Sequence, residues 1–204
     1  MTTKLQDVEA DLAFMKALVD GPAMQWTAFG QTYLAGGLIY GAQCLFHFCQ
    51  FKGWIVLSPG WSLAISLSFT AVFLPMLGVL VWRKRSGPML GTANRAISTV
   101  FSAVGLTNIV MVAVFAIAAV GHHSMTIWMI YPAIVFALQG AAWMVAALLR
   151  RRPWMGVIAA GWYVSAVGLG LTLDTVNYLL VCGGSLILWM AVPGALMLRN
   201  RTTA

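Results

Sequence analysis

Apolar residues gather into six runs along the chain, near 26–50, 59–82, 96–120, 126–149, 154–173 and 175–198. Each run is long enough to cross a hydrocarbon core about 30 Å thick, which takes roughly 17 to 25 helical residues. The polar links between them are short: Lys52-Gly53-Trp54 through Pro59, Gly121-His122-His123-Ser124, and Thr172 to Thr175. Links of that length make consecutive helices antiparallel neighbours. The pattern predicts an all-α integral membrane protein in which six transmembrane helices form three antiparallel hairpins, all within a single domain spanning residues 1–204.

A different periodicity precedes the first run. Leu5, Val8, Leu12, Met15 and Val19 recur at helical spacing, Thr3 and Gln6 offer a capping box, and Gly21-Pro22 supplies a stop. Residues 1–22 therefore read as a short cytoplasmic amphipathic helix. Its charges are Asp7, Glu9, Asp11 and Asp20 against Lys4 and Lys16, unlike the basic faces that bind anionic lipid. It is expected to pack against protein, with the arginine-rich loops as its natural surface. The same mixture of charges is unlike a cleavable signal peptide, so the first span is expected to direct its own insertion.

Composition strengthens the membrane reading. The chain is 61% hydrophobic and 8% charged, whereas ordinary soluble domains carry roughly a quarter charged residues. A net charge of +7 would raise the question of nucleic acid in a soluble protein. Here the cations sit at the ends of apolar runs, which excludes nucleic acid as a partner and leaves the lipid bilayer. Lys4, Lys16, Arg83, Lys84, Arg85, Arg95, Arg150, Arg151, Arg152, Arg199 and Arg201 all fall on one side, and Lys52 alone on the other. Cations are retained in the cytoplasm, so both termini are placed there, in a multi-pass protein of the inner (plasma) membrane. Trp26, Trp54, Trp61, Trp82 and Trp154 stand at run ends, as interfacial anchors do.

Candidate chemistry begins in the first run, where Tyr33, Gly36, Gly37, Tyr40, Gln43, Cys44, His47 and Gln50 recur at steps of three and four and so share one helix face. A polar stripe in lipid must face protein or water. Counting outward from a turn near Trp54-Ile55 sets Ser62 opposite His47 and Ser66 opposite Gln43. Counting across the next link brings Asn108 and Gln139 to similar depth, as a buried amide contact. Tyr40, Gln43, His47, Ser62, Ser66, Asn108 and Gln139 are thus the candidates for ligand binding or pore lining, with helix packing as the simpler role.

The three histidines, His47, His122 and His123, fall toward the outer face with Cys44, Cys49, Met125, Met129, Asp174 and Asn177 near that level. Imidazole with thiolate or thioether suits copper or zinc; a haem would need a second axial histidine from the link. No ligand spacing repeats, so the expectation is no metal or haem. Cys44, Cys49 and Cys182 are read as small apolar fillers rather than a disulfide framework.

Absences narrow the function. No glutamate follows Glu9, and Asp174 is the only acid in the spanning region, which argues against a carboxylate-driven antiporter or an intramembrane aspartyl protease. The chain has no His-Glu-x-x-His, P-loop, Gly-x-Gly-x-x-Gly or Gly-x-Ser-x-Gly. The favoured reading is a non-enzymatic accessory or assembly subunit, or a binder of an apolar ligand, acting alone, as a homo-oligomer or with a partner membrane subunit. One alternative is an uncoupled channel for small neutral solutes lined by Gln31, Tyr40, Gln43, Ser66, Asn108 and Gln139. Another is a redox or metal protein using the outer-face histidines.

Overall fold

The computed structural model describes residues 26–85 and 92–199; the amphipathic segment expected over 1–22 lies outside them. Among the described residues the chain is entirely helical. The helices are α1 (Trp26–Phe51), α2 (Pro59–Arg85), α3 (Thr92–Gly121), α4 (Met125–Arg150), α5 (Pro153–Leu171) and α6 (Asn177–Arg199). Their bounds fall within a few residues of the apolar runs. Pro59 and Pro153 open α2 and α5, where the missing N–H costs no helical bond. Gly53, at φ +73°, turns the chain beyond α1, and Arg151, in the left-handed region, ends α4.

Five of these helices, α2 to α6, are long and apolar enough to cross a membrane. The first, α1, has the length at 26 residues, but Gln31, Gln43, His47 and Gln50 dilute its apolar character. This is a membrane protein with several apolar helices.

The tightest seam joins α1 to α6. A β-carbon added to Gly37 would meet the Ala191 backbone nitrogen, with the Leu186 carbonyl oxygen at 2.8 Å and Ala191 Cα at 2.9 Å. One added to Gly194 would meet the Leu34 nitrogen, with the Gly30 carbonyl oxygen at 2.8 Å and Leu34 Cα at 2.9 Å. Two backbones touch here because neither residue has a side chain, the small-residue packing that membrane helices use in place of a hydrophobic driving force.

A π-helical turn over Ile187–Ala191 interrupts α6, with Val192 donating to the Ile187 carbonyl. Pro193 explains it: the ring lacks an N–H and crowds the carbonyl four residues back, and a slip to the wider π spacing relieves that crowding. The same turn carries Ala191 into contact with α1.

Around this seam, α5 packs on α6 and α4, α4 packs on α3 and α5, and α2 leans on α1. Ser185 donates to Ser165 at 2.8 Å between α6 and α5, and the Tyr178 hydroxyl donates to the Met129 carbonyl of α4 at 2.6 Å. A Cβ at Gly161 would strike the ring of Trp189. These small and hydroxyl residues serve helix contact. In contrast, α2 and α3 are largely uncovered along their length, and of the extended helix contacts each makes one, with α1 and α4 respectively.

Candidate functional site

Between α1 and α2, near the end away from the arginines, the polar stripe forms a hydrogen-bonded ladder. His47 Nδ1 lies 3.0 Å from Gln50 Oε1, and its Nε2 lies 3.1 Å from Ser66 Oγ. Gln50 Nε2 donates to Ser62 Oγ at 2.6 Å, Ser66 Oγ donates to the Ser62 carbonyl at 2.7 Å, and Gln43 Nε2 approaches the Ser66 carbonyl at 3.4 Å. Gln43 meets Ser66 as expected, through the Ser66 carbonyl, but the His47 partner is displaced by one turn: Ser66, not Ser62, meets its ring, and Ser62 takes Gln50 instead. The cause is the tilt of each Cα–Cβ bond toward its own helix N-terminus. Side chains of α1 therefore lean toward the basic end while those of α2 lean away from it, so contacts join an outer α1 residue to a deeper α2 residue.

Hydrogen bonds of this kind between membrane helices contribute about 0.6 to 2 kcal/mol each. We expect His47→Ala and Ser66→Ala each to destabilise the protein by about 1 kcal/mol, and the double variant to cost little more than either single. Equilibrium denaturation in mixed detergent micelles would check it; additive losses would show that the two residues do not act through one contact.

At the basic end the seams are aromatic. Phe29 and Tyr33 of α1 meet Phe101 of α3 and Trp143 of α4, with ring centroids 4.6 to 6.1 Å apart. Trp143 Nε1 donates to the Tyr33 hydroxyl at 2.8 Å, and that hydroxyl donates to Gln139 Oε1 at 2.6 Å. Gln139 is thereby committed to α1. The expected Asn108–Gln139 amide contact does not form: the Tyr131 hydroxyl, two turns nearer the α3–α4 link, donates to Asn108 Oδ1 at 2.6 Å. Counting by depth treats side chains as equal in reach, and the long phenol of Tyr131 outreaches the carboxamide.

Two polar pairs remain half exposed, and they lie on opposing helix pairs. Tyr40 of α1 rests its ring on Phe73 of α2, centroids 5.0 Å apart, and its hydroxyl approaches Thr70. Tyr131 of α4, stacked on Trp128 and bonded to Asn108 of α3, has its hydroxyl within electrostatic range of Tyr40. Among the described residues α1 is tied to α4 at the basic end through Tyr33, while α2 and α3 make no extended contact with each other. The chemistry of the two pairs is neutral: phenol and threonine hydroxyls with one carboxamide. With its own proton on Asn108, Tyr131 offers lone pairs, and the Tyr40 O–H can donate.

No family model, curated protein or solved structure matches this chain.

Those residues disperse most of the expected sites. Gln43, His47, Ser62 and Ser66 sit in the α1–α2 seam, Gln139 sits in the aromatic seam, and Tyr40 and Asn108 belong to the two half-exposed pairs. Together with exposed Gln31, the residues proposed to line a channel fall on separate seams rather than along one path. His122 and His123 are exposed in the α3–α4 link, and no group of three or more His, Cys, Asp or Glu side chains suited to a metal gathers among the described residues. Both His47 nitrogens are already occupied by Gln50 and Ser66. Tyr131 and Thr70 went unnoticed in the sequence, since one tyrosine or threonine in an apolar run carries no pattern. Cys44, Cys49 and Cys182 are all free.

Proposed function

We propose that this chain is a six-span inner-membrane protein with both termini in the cytoplasm, acting without catalysis as the binder of a neutral amphipathic molecule that enters sideways from the bilayer. What supports this reading is a pair of half-exposed neutral polar contacts, Tyr40 with Thr70 and Tyr131 with Asn108, on helix pairs that make no extended contact through α2 and α3, with Tyr131 in electrostatic range of Tyr40. Each of these half-exposed hydroxyls has one polar partner and retains hydrogen-bonding capacity for a second. The proposed site lies in a cleft between α2 and α3, where these four neutral groups would meet the head of the molecule and the exposed apolar faces of the two helices its acyl or ring-shaped tail.

The site offers donors and acceptors without a formal charge, which favours an alcohol, amide or ester head over an ion. As the sixth span, α1 fits best with its polar residues turned to α2 and α4 and its glycines turned to α6. The distribution of Lys and Arg sets the orientation. Binding of this kind suits an accessory subunit that senses or presents a membrane-soluble molecule.

Photolabelling would test the reading. A long-chain alcohol bearing a diazirine, added to the purified protein, should label peptides containing Tyr40 and Tyr131, and excess unlabelled alcohol should suppress that labelling. Uniform, non-competed labelling spread over α2 and α3 would contradict it.

A further inference from the structure

Cys44 of α1 and Cys182 of α6 stand opposite each other in the glycine seam that joins those helices. A Cβ added to Gly183 would lie 3.0 Å from the Cys44 Cβ and 3.1 Å from the Gly41 carbonyl oxygen, and one added to Gly41 would lie 3.4 Å from the Gly183 carbonyl oxygen. The backbones touch at this level, and the two thiols are in hydrogen-bonding contact. Both are free. A disulfide needs Cα atoms about 4.4 to 6.8 Å apart, whereas helix axes usually pack about 8 to 10 Å apart. Gly41 and Gly183 supply the closer approach.

The surroundings suit an uncharged pair. The neighbouring Tyr178 hydroxyl is committed to the Met129 carbonyl at 2.6 Å, and the His47 ring to Gln50 and Ser66. Two thiolates around a soft monovalent cation would carry a net negative charge, which is costly to enclose without a counterion. Dithiol and disulfide are both neutral, so either fits the seam. Access is unequal: Cys182 is buried, while Cys44 is half-buried and followed by Leu45, which is exposed and packs over Gly183. Cys44 is seven residues from the end of α1 at Phe51, and Cys182 five from the start of α6 at Asn177, about 10 and 8 Å along the axes. That depth excludes a charged oxidant and admits a lipid-soluble one.

We propose that Cys44 and Cys182 are a redox-active pair, oxidised to a disulfide by a quinone dissolved in the bilayer. Two S–H bonds break and one S–S bond forms; the two electrons and two protons pass to the quinone carbonyl oxygens and leave a hydroquinone. Cys44, the more accessible sulfur, meets the quinone first, and Cys182 closes the bond. The event occurs once per chain and staples α1 to α6.

The test uses the full-length protein, purified in mild detergent under reducing, oxygen-free conditions, freed of reductant and incubated with decylubiquinone. Denaturing alkylation with N-ethylmaleimide and intact mass then count free thiols. The three cysteines should give three adducts before quinone and one after it, on Cys49, with a linked Cys44–Cys182 peptide on digestion. The melting temperature should rise by about 10 °C, as expected for a cross-link closing a long loop, and dithiothreitol should reverse the rise. Cys49→Ser should leave the reaction intact, whereas Cys44→Ser and Cys182→Ser should each keep both remaining thiols open to alkylation. Three adducts after quinone, or a disulfide that includes Cys49, would overturn the proposal. So would copper(I) bound to the protein as isolated and lost in both Cys44→Ser and Cys182→Ser, since the pair would then be a metal site.

Discussion

Alanine in place of Gly37 or of Gly194 is expected to destabilise the protein by on the order of 3 kcal/mol, or about 10 °C in melting temperature for a chain of this length. The magnitude follows from what the new methyl group meets. At most glycines in a helix an added Cβ meets a side chain that can rotate away. At these two it meets the backbone of the opposite helix, at Leu186 and Ala191 in one direction and at Gly30 and Leu34 in the other. Relief requires α1 and α6 to separate along the seam, which also disturbs the π turn that brings Ala191 forward. Gly60 and Gly105 have open space at the same position, so alanine there should be neutral or slightly stabilising through helix propensity. Circular dichroism melts of the four variants in one detergent would check the contrast; equal shifts in all four would remove the close α1–α6 approach from the account.

The second large effect is expected at Trp143, which is 0% exposed and contacts Phe29, Tyr33, Phe101 and Trp154. Trp143→Ala should cost about 3 to 5 kcal/mol, the range for emptying a large aromatic site in a core. Trp143→Phe keeps most of the ring but drops the donor to the Tyr33 hydroxyl, and should cost about 1 kcal/mol. The gap between the two substitutions separates packing from hydrogen bonding. Because this cluster ties α1 to α3 and α4 at the basic end, losing it should also widen the cleft between the two helix pairs. A fall in ligand affinity with Trp143→Ala, beyond that seen with Trp143→Phe, would mark this coupling.

Helix positions were legible in the sequence because lipid imposes a simple rule: long apolar runs must be helices, and the observed helices begin and end close to those runs. Partners across the α1–α2 turn were legible to within one turn. The residual error comes from side-chain tilt, which residue counting ignores and which moved His47 from Ser62 to Ser66. Side-chain reach was not legible, and it is why Asn108 pairs with Tyr131 while Gln139 pairs with Tyr33. Nor could α6 be seen to slip at Ile187–Ala191, although Pro193 marked the strain; a proline in a membrane helix can also be met by a kink.

The proposed cleft is where a bound molecule would reside, and its contents can be measured. Native mass spectrometry of the protein, purified in mild detergent from its host membrane, reads them directly. The account predicts a wild-type adduct of one neutral amphipathic molecule per chain. In the Tyr40→Phe/Tyr131→Phe double variant its occupancy should drop by about tenfold, the equivalent of one to two hydrogen bonds, with melting temperature little changed. A wild-type protein with no adduct, or an adduct retained undiminished by the double variant, would contradict it.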